Sequence, residues 1–510
     1  MKIKYILWLL IISLMACSKK ENREQNSNAH FFSRSLLNER IVNLINTKGE
    51  FSWADADAWT TWNAVAVTDS IISVGYCPIN LKGRSFNFSD INLAAPEWRM
   101  ARTRVIDLVF QSEMQLNFSI QRSQLLVCSN EFLPVLNFKV SNPETIEKLK
   151  NSSFVRYVEP IGFDIDFSTQ NSKIAVESGC DENSANFQLQ HYTHYTSVMP
   201  NAKASWNYSA HGITDAWNRT SGAGIKIFLI DTGCNTSQDN LGAAFNQGYS
   251  FSRTIEKIVT LPRNTLFGLP IGPLETVNDA CGHGTMMAGV LAAPRGMDGN
   301  AVGVAYNCNL ITCRATTDVH IDESREVKGV SDAFITAANR NDVKIISMSL
   351  GRVLKSSQIE DAVLYAYQKG KLIFCAAGTS LSWTAGWAGV IFPASMNEVQ
   401  AVTGVKQNSN FSACNTCHKG AEVDFVVVME RAGDNFHPLT LASSGNFPST
   451  VGGSSVSTAS MAGMACLVWS RFPGLSRDQI LVRLQRYSSN YPVKSLQWGW
   501  GALQVNQAAL

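Results

Sequence analysis

Residues 226–233 read KIFLIDTG, an apolar run closed by Asp231, Thr232 and Gly233. Near-continuous hydrophobicity over a short stretch, ended by a turn signal, is what a strand covered on both faces requires. The run therefore presents Asp231 at the carboxyl end of a buried strand, the edge of an open α/β sheet at which sites form. Working outward, comparable runs recur at Ile225–Ile230, Asn309–Cys313, Lys344–Met348, Lys371–Ala376 and Val399–Val405, separated by stretches long enough for helices. From about Trp206 onward this alternation predicts an α/β fold: a doubly wound, mainly parallel sheet with helices on both faces.

Two further segments carry reactive side chains. Residues 282–289 read GHGTMMAG, in which small residues let a helix start close to the sheet and fix His283 at its beginning. Residues 453–463 read GSSVSTASMAG and place a serine at another helix start, where unpaired backbone N–H groups carry partial positive charge. A serine hydroxyl needs an adjacent base to become a nucleophile, and a histidine base needs a third group to orient it. Asp231, His283 and a serine supply those types in that order.

The succession DTG, GHGT and a G-[ST]-S element before a small-residue helix resembles the subtilisin-like serine peptidases. The resemblance extends over the span from Trp206 to the C-terminus, through GVAYNCNLITCRA at Gly303, KIISMSLG at Lys344, LIFCAAG at Leu372 and FPASMNEVQAVTGV at Phe392. It implies an endopeptidase with the triad Asp231, His283 and Ser455. Ser455 fits as nucleophile because Gly453 stands two residues before it and Ala462-Gly463 follow; Ser454 then takes the place usual for threonine, and Ser457 falls in the first helical turn. Ser349-Leu350-Gly351 is similar to the strand that pairs with an extended substrate by strand addition. Trp383 and Trp387 are candidates for lining a pocket. The chain departs from the family pattern at Ala459, where proline is common, at Met286-Met287, and at Thr379. An asparagine following the AAG strand end usually donates to the oxyanion, and losing such a donor costs about 2.7–4 kcal/mol in a subtilisin. Thr379 is the oxyanion candidate here, with the Ser455 backbone N–H and residues near Ser380 as further donors. No cofactor is called for; calcium is admitted by the resemblance alone, since no acidic cluster marks a site. The rival reading is a catalytically impaired, peptide-binding relative at the cell envelope.

The 510 residues exceed one ordinary core. The net charge of +2 provides no electrostatic basis for binding nucleic acid or an anionic membrane surface. Lys2 and Lys4 precede an apolar run, Tyr5–Met15, laid out like an export signal, and Leu14-Met15-Ala16-Cys17 resembles a bacterial lipobox. That implies a signal peptide at 1–16, cleavage before Cys17, lipid on Cys17 and membrane attachment through it. Residues 17–29 read as a tether. Residues 30–205 read as an N-terminal α+β region and 206–510 as the peptidase domain. Within the former, Trp62–Tyr76 alternates like a strand and Pro96–Glu113 is helical with Met100, Val105, Leu108 and Val109 on one side. Leu133–Val140 is a strand, Asn142-Pro143 starts a helix through Lys150, and Phe154–Val158 is a strand. This unit, ending in VRYVEP, resembles the closing half of a subtilisin propeptide and implies a zymogen inhibited by its own N-terminal region, with cleavage before about Trp206 releasing the enzyme from its lipid. The chain has 12 cysteines. Cys414-x-x-Cys417 with His418 reads as a local disulfide or two thiols rather than a metal site. Cys234 and Cys281 flank two triad positions, and a disulfide between them is expected.

Overall fold

The computed structural model describes residues 31–165, 179–180, 184–266, 269–380, 389–408 and 411–510. The N-terminal part builds α1 (Arg34–Lys48), α2 (Ala58–Ala66), β1 (Ile71–Tyr76), α3 (Pro96–Met114), β2 (Leu126–Ser129), β3 (Val135–Lys139), α4 (Pro143–Lys150) and β4 (Val155–Pro160). Its four strands form an antiparallel sheet in the order β2-β3-β1-β4. The strand expected over Trp62–Tyr76 is a strand only from Ile71. Asp57 accepts the Thr60 N–H at 2.6 Å and caps α2, and Trp62 and Val65 then bury together at helical spacing. Pro96 opens α3 as expected, but its buried face is Trp98, Ala101, Val105 and Val109, and Met100 is 47% exposed. Asn142 caps α4 by accepting the Glu144 N–H at 3.0 Å.

The remainder begins with a hairpin, β5 (Tyr195–Val198) and β6 (Ala202–Ser205), whose Ala202 and Ala204 join the larger core. There follow β7 (Lys226–Asp231), β8 (Ile255–Val259), α5 (His283–Ala292), β9 (Asn309–Arg314), α6 (Ser324–Asn339), β10 (Val343–Met348), α7 (Ser357–Gln368), β11 (Leu372–Ala376), β12 (Gln400–Lys406), β13 (Val423–Glu430) and α8 (Gly453–Arg471). Seven parallel strands align in the order β13-β12-β11-β10-β7-β9-β8. Alternate residues of β7 face opposite cores: Ile227 and Leu229 pack with α5 and α8, Phe228 and Ile230 with α6 and α7. The sheet is thus doubly wound, and the strand order reverses beside β7, where Asp231 stands. Among the described residues no helix is long and apolar enough to cross a membrane.

The N-terminal sheet lies on α7. Ser73 and Asn137 both donate to Gln358 Oε1 at 2.8 Å, and Arg156 forms a two-point ion pair with Asp361, itself buried. The Glu159 carboxylate accepts the Ser357 N–H at 2.7 Å at the start of α7, a favourable place for negative charge. Beyond β4, the fully buried Asp164 accepts the Val353 and Leu354 N–H groups at 2.8 Å and is hydrogen-bonded to His320 Nε2 at 2.8 Å. The Arg352 guanidinium donates to the Phe163 carbonyl.

Candidate active site

Asp231 ends β7, and its Oδ1 meets Nδ1 of His283 at 2.7 Å while accepting the Thr232 N–H at 2.8 Å. His283 is the first residue of α5 and is 5% exposed. Close approach of that helix to the strand end requires a glycine: a β-carbon on Gly284 would lie 2.3 Å from the Gly233 carbonyl oxygen. Burial disfavours a charged imidazole, but the Asp231 carboxylate, by charge and hydrogen bond, and then Asp279 outweigh it and raise the His283 pKa above its ordinary value.

Asp279 had no motif to announce it, yet it organises this corner. Its Oδ1 accepts the Gly282 N–H and the Thr232 hydroxyl, both at 2.8 Å, and its Oδ2 accepts the Thr285 N–H and hydroxyl, both at 2.7 Å. One carboxylate therefore caps the first turn of α5 and ties it to the turn after Asp231. The available signal was an acidic residue just before a helix start, at a position whose own N-cap is a glycine.

Ser455 lies in the first turn of α8. Its neighbours Ser454 and Ser457 are 1% and 0% exposed, whereas Ser455 is only half-buried, so of the three it is the hydroxyl a substrate can reach. Its Oγ donates to the Ser349 carbonyl at 3.5 Å, and Ser349 Oγ donates to the Ser455 carbonyl at 3.1 Å, joining the start of α8 to the end of β10. A His283–Ser455 hydrogen bond is not among those formed by the described residues; such bonds commonly tighten only when substrate binds. Because β10 neighbours β7 and α8 packs against α5, the three candidate side chains share the carboxyl edge of the sheet.

Thr379 borders the start of α8. Its Oγ1 accepts the Ser454 N–H at 3.1 Å and lies 3.0 Å from Ser454 Oγ. The hydroxyl is thus held against the helix start, not extended as an amide would be. Of the expected substrate strand, Ser349 and Leu350 are buried, and Gly351 is already paired: its N–H donates to Val319 O at 3.2 Å and its carbonyl accepts the Ile321 N–H at 3.0 Å. The open edge expected at Gly351 is therefore filled by residues 319–321, while the Ser349 carbonyl faces Ser455. Trp383, Trp387 and Cys17 lie outside the described residues.

The expected Cys234–Cys281 bond does not form. Cys281 is joined to Cys180, and Cys234 is a buried thiol whose pKa burial pushes up to about 11. Proximity to the triad brought Cys281 near the site, but Cys234 turns into the core with α5. A cut just before Trp206 would leave its two sides joined through sulfur, so release does not follow from it. Cys414 and Cys417 form the local disulfide. As for calcium, which needs several converging oxygens, no group of three or more acidic, histidine or cysteine side chains among the described residues is placed to hold a metal ion.

This fold and site define a subtilisin-type serine protease. Residues 222–501, more than half of the chain, match the Subtilase family, and the chain belongs to it. It is 28% identical to subtilisin DY of Bacillus licheniformis over 56% of this chain and 92% of that protein. It is 26% identical to thermitase of Thermoactinomyces vulgaris over 58% of this chain and 91% of that protein. Among solved structures, fervidolysin from Fervidobacterium pennivorans, a keratinolytic enzyme related to subtilisin, shares the fold with a TM-score of 0.57 at 17% identity, over 86% of this chain and 60% of that one.

Proposed function

We propose that the protein is an endopeptidase that works through an acyl-enzyme on Ser455, and the observation that carries this is the 2.7 Å Asp231–His283 pair at the same sheet edge as the half-buried Ser455. His283 Nε2 takes the Ser455 proton as Oγ attacks the peptide carbonyl, then returns it to the leaving amine. Asp231 orients the ring and stabilises its charged form. The tetrahedral oxyanion is met by the Ser455 backbone N–H, whose place in the first helical turn leaves it without an intrahelical acceptor, and by the Thr379 side. Water then hydrolyses the acyl group with His283 as base. The Ser349 carbonyl receives the N–H of the substrate residue before the scissile bond.

The N-terminal unit is read as an inhibitory propeptide because its sheet covers α7 and its following segment holds Arg352 and Val353, next to the substrate strand. Lipid attachment at Cys17 would place the protein at the bacterial cell envelope. The test is labelling of the soluble chain (residues 18 onward) by a fluorophosphonate, beside Ser455→Ala. Labelling lost in the variant supports the reading. A folded, processed sample that does not label would replace it with peptide binding without turnover.

A further inference from the structure

The Cys414–Cys417 bond closes a small ring around Asn415 and Thr416, and this ring lies alongside the strand end that leads into Thr379. The Ser380 N–H donates to Thr416 O at 2.7 Å, the His418 N–H donates to Gly378 O at 2.9 Å, and Thr379 pairs antiparallel with Cys417. Residues 378–380 are therefore held by the main chain of the ring on one side and, through Thr379, by Ser454 on the other. His418 fills the space beneath them. It is 1% exposed, and a β-carbon on Gly378 would lie 2.3 Å from its Nδ1. Burial lowers its pKa to about 4, against a hydrogen bond with the Gly389 backbone, so the ring packed there is neutral.

The ring is itself anchored to the sheet. The Cys414 N–H donates to Gly404 O at 3.2 Å, Thr403 Oγ1 donates to His418 O at 2.6 Å, and the Asn415 N–H donates to Glu430 Oε2 at 2.8 Å. Those contacts run from β12 and β13 through the disulfide ring to the oxyanion side of Ser455. Opening the ring leaves those anchors in place but frees the main chain at Thr416, whose carbonyl holds Ser380.

We propose that the Cys414–Cys417 ring and His418 are positioning elements for the oxyanion side of the active site, and that opening the disulfide lowers turnover without weakening substrate binding. This rests on the reading of Ser455 and Thr379 given above. A dithiol opens the ring in two steps: one thiolate attacks a cystine sulfur to form a mixed disulfide, and the second displaces the remaining cysteine. Two cysteine thiols and a cyclic disulfide of the reductant result, a two-electron exchange.

The experiment compares Cys414→Ser/Cys417→Ser with wild type for kcat, KM and the pH profile, with Thr379→Val alone and combined. Displacing a reacting group by about 1 Å costs up to roughly 100-fold. The expected result is a kcat reduced roughly 10- to 100-fold with KM within about twofold. The acid limb set by His283 should not move, and adding Thr379→Val should cost far less than it does in wild type, because both changes disable one element. A kcat within about twofold of wild type, or losses that multiply fully with Thr379→Val, would overturn the proposal. Should the double variant not fold, the wild type is treated with dithiothreitol and alkylated. Peptide mapping then relates residual kcat to the fraction of Cys414 and Cys417 modified, separately from Cys180 and Cys281, and glutathione disulfide is added to re-form the ring. Activity that tracks Cys414 and Cys417 and returns on reoxidation supports the proposal; activity indifferent to them sinks it. A Ser455→Ala variant that still turns over would instead refute the underlying site assignment, whatever the cysteines do.

Discussion

Replacing Asp279 by asparagine changes one atom of a buried carboxylate, and its effect can be worked from four hydrogen bonds. Oδ1 of the asparagine keeps the Gly282 N–H and the Thr232 hydroxyl, and the new amide faces Thr285. The Thr285 hydroxyl can turn to accept from the amide, but the Thr285 N–H cannot, so a buried donor confronts a donor. An unsatisfied buried donor costs about 1–3 kcal/mol, and the surviving bonds lose their charge assistance, roughly 1 kcal/mol more. The sum, about 2–4 kcal/mol, should appear as a lower midpoint in guanidinium unfolding. The same change removes a negative charge that helps raise the His283 pKa. With His283 as the proposed base, turnover requires the neutral imidazole, so the acid limb of kcat/KM should move to lower pH in Asp279→Asn. Stability within about 0.5 kcal/mol of wild type, together with an unmoved acid limb, would refute the assignment of Asp279 as the cap of the catalytic helix.

Burial raises the Glu159 pKa to about 7, against opposing hydrogen bonds from the start of α7. Because this folded pKa exceeds that of an exposed glutamate, the associated stability is full below about pH 4.5 and is lost as pH rises through 7, at about 1.4 kcal/mol for each pH unit separating the folded and unfolded values. Protease resistance of the N-terminal unit should therefore fall between pH 5 and 8, and Glu159→Gln should flatten that dependence; an unchanged slope would exclude Glu159 as its source. Arg156→Ala leaves Asp361 charged and buried, and should destabilise the docked form by about 3–5 kcal/mol in equilibrium unfolding; a change under about 1 kcal/mol would show that the pair adds little. Thr379→Val removes the acceptor of the Ser454 N–H and should lower kcat at least about tenfold with KM little changed. Unaltered turnover would assign oxyanion binding to other donors.

The strands around the candidate site were the most readable part of the chain, because burial on both faces leaves a run such as IFLI with no polar interruption. β8 escaped for the opposite reason: at the sheet edge it carries Glu256 and Lys257 and none of its residues is fully buried. β13 does carry the run, in VVVM, and only the polar stretch ahead of it hid it. Trp62–Ala66 misled because alternation and helical burial coincide over a few residues, and the Asp57 cap decided between them. At the site, Asp231, His283 and Ser455 stood out by motif order, whereas Asp279, the segment Val319–Ile321 against Gly351 and the partner of Cys281 depend on contacts between distant segments. Cysteine spacing names the participants in a disulfide but not their pairing.

That pairing has a topological consequence. The Cys180–Cys281 bond closes a covalent loop with a sequence separation of 101, and Asp231 lies inside it. Closure of a loop this size removes unfolded-state entropy worth about 4.7 kcal/mol in the chain-entropy view. It also sorts cleavages into two kinds. A cut within the loop produces a nick that non-reducing electrophoresis does not reveal and that liberates nothing. A cut upstream of Cys180 parts the enzyme from everything before it. Whether cleavage separates the protease domain covalently from the N-terminal unit thus turns on which side of a single cysteine the chain is opened.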